Sequence, residues 1–461
     1  MRIFRSSYTI AFSLFLNMLV LSHCAHAEQA NFPSSFIEKI APLNEQQKSF
    51  ILNGKATQFV PHRQLVHEVQ TRDLEGITLF VDDLMRVAQQ MTYDPKTNMG
   101  AIPLNLKTRS FNNDVVTPQI LLTHKRAAGP FSVNRYLFPE SGIATFAGAN
   151  LAIYPDDLIA GEVDVAIIGI PSDMGSGQRS ANFAPSYMRM TNTMATVDEQ
   201  SLVNPSQVLS IADYGDFTLD RWSAERSINH IAQMVAETSA TGATPFIVGG
   251  DTSILYATVS GAAQHHGKQS FGLVHFSAHS DNALNAVHTV SDEQVISRLL
   301  REGIIEGKSL IQIGLRGPSL TPASLQWFRD NAIQYYTMAQ FDNRGFEKTL
   351  KNIKRDYRRG PSKWFISIDV SAVNPSDIIA AGRIEAGGLE VDQIKKALRH
   401  FCASKEIVGF EITDLAPMLD LSKASVTNAN ALVNACLNGV ALRKAGIKPD
   451  YIHPLTREDG E

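Results

Sequence analysis

The sequence predicts an α/β protein whose mainly parallel β-sheet is covered by helices on both faces. From about residue 163, short β-rich runs alternate with longer amphipathic stretches, and the runs are apolar at consecutive positions. This pattern is typical of strands buried on both sides, because crossover helices cover both faces of a parallel sheet. Polar residues also follow the runs, as at the ligand-binding edge of such sheets.

The strands are predicted, in chain order, at residues 163–170, 208–215, 244–250, 271–278, 309–316, 364–370 and 406–413. Amphipathic segments such as 224–239 and 391–401 predict intervening helices. Residues 28–145 differ, because FVDDLMRVAQQM has a helical pattern while the following stretch is rich in Pro and Asn. We expect an N-terminal extension at 28–145 that wraps the main domain, or alternatively forms a separate module. The main domain is predicted at 146–455 and a tail at 456–461.

The first residues predict an export signal at 1–27. Arg2 and Arg5 precede an apolar run at 10–21, and Ala25-His26-Ala27 supplies small residues at the positions that a signal peptidase recognises. The run is shorter than the roughly 20 residues of a membrane span. We therefore expect a periplasmic or secreted protein without a membrane segment after cleavage; the alternative is an uncleaved anchor.

The net charge argues against nucleic-acid binding, and the cysteine content argues against a fold held by several disulfides. The formal net charge of −4 and pI near 6.4 show no footprint for nucleic acid. Only Cys402 and Cys436 remain beyond the predicted signal. Two buried thiols are the favoured interpretation and one disulfide is the alternative, so the fold does not depend on a disulfide framework.

Polar motifs follow six of the predicted strands: GIPSDMGSGQRS, DYGD, GGDTS, SAHSD, GLRGP and IDVSAVNP, while Glu411 lies within the seventh strand. The carboxyl ends of parallel strands meet at one edge, so these residues are expected to gather there. For residues 251–253 alone, helix capping is an alternative explanation.

Several of these motifs resemble those of the ureohydrolases, in particular the agmatinase and guanidinobutyrase branch. Across residues 141–448 the motifs SGIATFAGANL, GIPSDMGSGQRS, DYGDF, GGDTS, HFSAHSD, IQIGLRGP, SIDVSAVNP, GRIEAGGL and GFEITDLAP occur in the family's order. The resemblance implies a three-layer α/β/α sandwich with an eight-stranded sheet, the arginase-like fold. It also implies trimers or hexamers, and two Mn²⁺ ions that activate a water to attack a guanidinium carbon.

Three of the six metal-ligand positions implied by the resemblance have lost their ligands. The family places His or Asp at all six, which here are Thr252, Ser277, His279, Asp281, Asp369 and Ser371. Hard oxygen ligands with imidazole suit Mn²⁺, but hydroxyls stay protonated and bind weakly. The four carboxylates of the family site are reduced to Asp281 and Asp369. Since each ligand of a structural zinc site contributes on the order of 3 kcal/mol, losing three should abolish the ion pair.

Two interpretations of the remaining ligands stay open. One weakly held divalent cation binds His279, Asp281 and Asp369, or His279 is charged and pairs with the two carboxylates in a metal-free cluster. Glu411 is predicted to receive a guanidinium in a bidentate pair, the alternative being a structural pair with a neighbouring arginine. His288 is the candidate for the family's proton-shuttling histidine, although it follows His279 more closely than expected.

These observations favour an exported, non-catalytic ureohydrolase-fold protein that binds or scaffolds a small guanidino compound or a protein partner. The alternative is a metal-dependent hydrolase of linear amidines that releases urea with one or an atypical metal ion.

Overall fold

The computed structural model describes residues 32–91, 127–133, 142–176, 180–191, 193–220, 222–283 and 290–456. Contacts divide the chain into two compact units, which meet in sequence between Arg126 and Ala127. The domain boundary expected at 145/146 stays a prediction.

The described part of the first unit is helical. Its helices are α1 (Ser34–Ile40), α2 (Glu45–Leu52), α3 (His62–Thr71) and α4 (Leu74–Met91). Asn44 and Gln47 form a reciprocal capping box that begins α2. Residues such as Phe36, Leu65 and Phe80 build a buried core within this unit. A core of its own is the property of a separate module; the wrapping of the main domain stays a prediction.

In the ranges that the structure describes, the second unit is built on a nine-stranded parallel sheet. Its strands are β1 (Asn150–Leu151), β2 (Val165–Gly169), β3 (Ile211–Asp216), β4 (Thr244–Val248), β5 (Gly272–Phe276), β6 (Leu310–Leu315), β7 (Gln334–Thr337), β8 (Lys363–Asp369) and β9 (Glu406–Thr413). Their order is β1-β3-β2-β4-β9-β8-β5-β6-β7, and every named pair is parallel. The predicted fold class is confirmed, with one strand more than the eight expected.

Helices cover both faces of this sheet. They are α5 (Pro155–Ala160), α6 (Ala184–Thr191), α7 (Pro205–Val208), α8 (Ala224–Ala240), α9 (Leu255–His266), α10 (Val295–Arg301), α11 (Pro322–Asp330), α12 (Met338–Arg344), α13 (Phe346–Arg359), α14 (Val391–Ser404) and α15 (Ala424–Lys444). Alternate strand residues enter two different hydrophobic clusters: Ile366 of β8 packs with α14 and α15, whereas Phe365 packs with α8 and α9. The period of two in a strand thus produces the three layers.

Cys402 of α14 and Cys436 of α15 form a disulfide, with Cα atoms 5.3 Å apart. The favoured interpretation as two thiols was therefore wrong. Sequence spacing could not show that these two helices pack side by side and bring the cysteines together. Within the described ranges, no helix combines the length and apolarity required to cross a membrane.

Candidate functional site

Four neighbouring strands, in the spatial order β4-β9-β8-β5, end at the candidate site. These strands are not consecutive in sequence, so the fold brings together residues from distant parts of the chain. The six ligand positions lie at the end of β8 or in the turns after β4, β5 and β8, and all six side chains are buried. This is the edge at which parallel α/β sheets bind their ligands.

Ser277 is the first residue after β5 and lies between the two retained carboxylates. Its Oγ donates to Oδ2 of Asp369 at 3.1 Å and lies 3.4 Å from Oδ2 of Asp281. The same Oγ accepts the backbone N–H of His279 at 3.0 Å. One hydroxyl therefore lies between two carboxylates, at a position where the resemblance implies a third carboxylate.

Asp369 ends β8, and Ser371 lies in the 3₁₀ turn that follows. Oδ1 of Asp369 accepts the backbone N–H of Ser371 at 2.8 Å, which caps the turn. Oγ of Ser371 accepts the backbone N–H of Ala278 at 3.2 Å and lies 3.3 Å from Nδ1 of His279. Nδ1 of His279 is 3.8 Å from Oδ2 of Asp369. The structure thus brings five of the six positions into one cluster.

Thr252 lies to one side of this cluster. It follows β4, and its Oγ1 is 3.1 Å from Oγ1 of Thr413 at the end of β9. The neighbouring Asp251 accepts the backbone N–H of Gly175 at 2.9 Å. Asp251 therefore both caps the turn after β4 and fixes the loop after β2.

The centre of the cluster is occupied by the guanidinium of Arg383. Its Nη2 lies 3.3 Å from Oδ1 of Asp281 and 3.6 Å from Oδ2 of Asp369, and its Nε lies 3.1 Å from Oδ2 of Asp292. The backbone N–H of Arg383 donates to Oδ2 of Asp414 at 2.9 Å. One arginine therefore lies among four carboxylates, each of which has a relative exposure of 4% or less.

Electrostatics favour the charged form of this arginine. Burial alone would lower the pKa of Arg383, but the carboxylates of Asp281, Asp369, Asp292 and Asp414 outweigh it and raise that pKa above its ordinary value. Burial opposes ionisation of Asp281 and Asp369 too, yet the charge of Arg383 holds the pKa of Asp281 below its usual range. The hydrogen bond to His279, followed by the charge of Arg383, does the same for the pKa of Asp369.

The outer two carboxyl groups behave differently. Burial raises the pKa of Asp292 to about 6, and Arg383 only partly opposes this shift. Burial and the nearby charge of Asp369 raise the pKa of Asp414 well above its usual value. One guanidinium thus fully compensates the two inner carboxylates but not all four.

The loop that carries Arg383 contributes a second charged residue to the cluster. Oε1 of Glu385 lies 3.4 Å from Nε2 of His279. The loop is held by Arg316, whose Nη2 donates to the backbone oxygens of Ser371 at 2.7 Å and Gly387 at 2.8 Å. Arg316 therefore ties the loop to the turn after β8.

Glu411 lies inside β9, before the carboxyl end of the strand. Its two carboxylate oxygens accept hydrogen bonds from Thr258 at 2.6 Å and from Ser367 at 2.8 Å. Ser367 Oγ is 3.0 Å from Nδ1 of His275, whose Nε2 lies 3.4 Å from Oδ2 of Asp281. A chain of polar groups therefore connects Glu411 to the cluster. Burial raises the pKa of Glu411 to about 7 against these hydrogen bonds.

The predicted roles of Glu411 and His288 stay predictions. Both carboxylate oxygens of Glu411 already accept hydrogen bonds. The structural alternative required a salt bridge to an arginine, and in the described ranges no such salt bridge is present. The carboxylate at the actual end of β9 is Asp414, which the sequence analysis did not single out. His288 lies outside the described residues.

Sequence reasoning also missed Arg383. The strand-end motifs contain Arg179 and Arg316, the family motif GRIEAGGL contains Arg383, and nothing in the spacing of these arginines shows which one enters the cluster. The only sequence signal for an arginine at this place was the charge of the site, because two buried carboxylates without metal ions require another cation.

The residues present do not fit a pair of divalent cations. Three positions carry hydroxyls, and a guanidinium lies among the carboxylates that remain. In the part of the chain that the structure describes, no three His, Cys, Asp or Glu side chains are grouped so that they could hold a metal ion. A cation placed here would meet the positive charge of Arg383.

The three-layer fold and the strand-edge cluster define a protein of the arginase-like α/β class. A family model described as "Arginase family" matches residues 163–438, and the chain belongs to this family. The chain is 27% identical to a mitochondrial agmatinase from Gallus gallus over 274 residues, covering 59% of this chain and 79% of the relative. It is 25% identical to a guanidinobutyrase from Pseudomonas aeruginosa over 295 residues, covering 63% and 90%.

A solved structure with the same fold contains manganese. A variant of Trypanosoma cruzi formiminoglutamase, solved with Mn²⁺, superposes with a TM-score of 0.55 at 20% identity, covering 61% of this chain and 95% of that one. The predicted family and fold are thereby confirmed.

Proposed function

We propose that this chain is a non-catalytic member of the arginase family that acts by binding or scaffolding. The observation that carries the proposal is Arg383, whose guanidinium lies 3.3 Å from Asp281 and 3.6 Å from Asp369. These two carboxylates are two of the three metal ligands that the chain retains according to the family resemblance, the third being His279. With their charge compensated internally, and with three other ligands replaced by hydroxyls, the site has no means of generating a metal-bound nucleophile.

The ligand of this binding role is either a small guanidino compound or a protein partner. The relatives named agmatinase and guanidinobutyrase suggest the first. Arg383 favours the second, because its own guanidinium already takes the carboxylates that would attract a guanidino ligand at this edge. Assembly into trimers or hexamers is part of the proposal and rests on the family resemblance alone.

We also propose that the protein functions outside the cytoplasm, in the periplasm or the medium. The signal-like pattern at residues 1–27 lies outside the described residues. Support comes from the disulfide between Cys402 and Cys436, because structural disulfides persist mainly in oxidising compartments.

A metal-dependent hydrolase of linear amidines is the second candidate. Its supporting observation is that His279 and Asp369 still face each other, with 3.8 Å between Nδ1 and Oδ2. A single ion at this place would have to displace Arg383 from Asp281, which makes this candidate the weaker of the two.

Metal analysis combined with a urea assay tests the proposal. Protein purified without chelator should contain well under one Mn²⁺ per chain, and should release no urea from agmatine or 4-guanidinobutyrate with Mn²⁺ added. An active agmatinase carried through the same purification is the control. Tightly bound Mn²⁺ together with brisk urea release would replace the proposal with the hydrolase candidate.

A further inference from the structure

We propose that the Arg383 guanidinium is a built-in cation that replaces the metal pair, and that shortening this side chain creates a binding site for a small free guanidinium ion. This inference rests on the proposed function, because it assumes that the protein holds no metal at this edge. It adds the identity of the substitute cation and the chemical class of ligand that its cavity accepts.

The contacts of Arg383 are those of a shared central charge. Its guanidinium reaches Asp281, Asp369 and Asp292 over 3.1 to 3.6 Å, and none of these three carboxylates forms a bidentate pair with it. Nε lies close to Asp292 but without hydrogen-bond alignment. Arginine normally uses its planar fork for bidentate pairing. Here charge, rather than directional hydrogen bonding, carries the interaction, as it does for a metal ion among carboxylates.

The backbone around Arg383 is fixed so that this side chain points into the cluster. Asp414 accepts the N–H of Arg383, and the N–H of Gly382 donates to the backbone oxygen of Asp414 at 2.8 Å. A Cβ atom at Gly382 would lie 2.3 Å from Oδ1 of Asp414, so only glycine allows this approach. Arg316 ties the far side of the same loop to the turn after β8.

Glu385, on the same loop as Arg383, is the second charged residue that faces the retained ligand positions. The metal ligands implied by the resemblance are carboxylates and imidazoles. On one loop, Arg383 faces the carboxylates, and Glu385 faces Nε2 of His279 at 3.4 Å. The loop thus supplies a partner of opposite charge to each kind of retained ligand.

Removing the guanidinium would leave Asp281, Asp369 and Asp292 without their shared cation. Buried carboxylates that lose their counter-charge are strongly destabilising. The Arg383 side chain is 18% exposed, so the space it vacates would be open to solvent. A free ion with the same planar shape and charge should enter that space and restore stability.

Thermal unfolding of Arg383→Ala with and without methylguanidinium chloride tests this inference. All three tryptophans, Trp222, Trp327 and Trp364, lie in the second unit, so their fluorescence follows the part of the chain that contains the site. We expect the variant to melt on the order of 10 °C below the unmodified protein. Methylguanidinium at ten times its dissociation constant should recover about 3 °C.

Three controls separate this effect from general salt or denaturant effects. Methylammonium chloride supplies charge without the planar fork, and urea supplies the planar shape without charge; neither should recover the variant. The unmodified protein should not respond to methylguanidinium. Arg226→Ala removes an arginine that pairs with the single carboxylate of Asp220 at 3.5 Å, and should show no recovery.

The inference is overturned if Arg383→Ala melts with the unmodified protein, or if methylguanidinium stabilises both equally. If Arg383→Ala does not fold without added methylguanidinium, Arg383→Lys becomes the test variant. It keeps the positive charge, so we expect it to fold and its melting temperature not to change with methylguanidinium. Failure of both variants to fold, even with methylguanidinium present, would show that charge is not what this position supplies. A metal-free protein that shows no recovery refutes only this inference, whereas bound Mn²⁺ in the unmodified protein refutes the proposed function.

Discussion

Arg189 and Arg383 each pair with more than one carboxylate, but they hold these carboxylates in different ways. Arg189 of α6 donates from Nε and Nη2 to both oxygens of Asp213, at 2.8 and 3.0 Å, and from Nη1 to Asp216 at 2.6 Å. Its guanidinium also stacks on Phe146, 3.9 Å from the ring centroid. Arg383 reaches its carboxylates from a loop, over longer distances and without a bidentate pair.

The difference shows what each arginine does. The Arg189 pair is a structural bridge between α6 and β3, in which the planar fork fixes the geometry. The Arg383 cluster lies where the family resemblance places two cations, and its geometry is that of one charge shared among several acids. A substitution of arginine by lysine keeps the positive charge but removes the planar guanidinium, so it should affect the stability of the two sites differently.

The largest effect is expected at Arg189. Arg189→Ala leaves Asp213 buried without a counter-charge, which should cost about 3–5 kcal/mol of unfolding free energy. Arg189→Lys keeps the charge but loses the fork, and should still cost about 1.5–3 kcal/mol. Urea unfolding followed by tryptophan fluorescence measures both. A lysine variant as stable as the unmodified protein would contradict the structural role of the fork.

Restoring the metal ligands should convert the Arg383 cluster into a cation site, and the conversion should be more complete if the arginine is removed too. Thr252→His, Ser277→Asp and Ser371→Asp combined with Arg383→Ala should be stabilised by about 4 kcal/mol at a thousandfold excess of Mn²⁺ over its dissociation constant. The same triple variant with Arg383 in place should respond less, because the arginine competes for the acids.

Melting curves with and without Mn²⁺, and calorimetric titration for stoichiometry, compare the two variants. An equal Mn²⁺ response with and without Arg383 would show that the arginine does not occupy the cation position.

The next effect concerns Glu411, which lies beneath the Arg383 cluster. Its folded-state pKa of about 7 lies above the ordinary value of 4.5, so the folded protein binds this proton more tightly than the unfolded chain does. Stability should therefore fall as the pH rises from about 4.5 through 7.

Glu411→Gln keeps the shape without titrating, so its stability relative to the unmodified protein should improve by up to about 3 kcal/mol between pH 5 and 8. Unfolding in urea at several pH values measures the difference. A constant difference across this range would show that Glu411 is ionised throughout. Weaker binding of a guanidino compound to the variant would instead support the role predicted from the family resemblance.

The smallest effect is expected for Arg383→Lys. An ammonium is a point charge that can be shared among acids, and the one hydrogen bond lost, to Asp281, is long at 3.3 Å. The loss should be about 1 kcal/mol, below that of Arg189→Lys. Urea unfolding of both lysine variants side by side provides the check, and the reverse order would place the directional pairing at Arg383 rather than at Arg189.

Strands and motifs could be predicted because their information is local. The seven predicted strands correspond to β2, β3, β4, β5, β6, β8 and β9, whose apolar runs show their burial directly. Two short strands, β1 and β7, were not singled out, because two to four residues carry little pattern. The domain boundary at 145/146 stays a prediction, since the composition of residues 92–145 marks no sharp boundary.

The sequence by itself determined the family and the parallel sheet, and it predicts the replacement of three metal ligands, because each of these depends on which residue type stands at a position. Only the tertiary structure decided that Cys402 meets Cys436 and that Arg383, rather than Arg316, lies among the acids. Arg316 instead binds backbone oxygens of the loop that carries Arg383. Such pairings join residues far apart in sequence, and they depend on strand order and loop path, which no local pattern encodes.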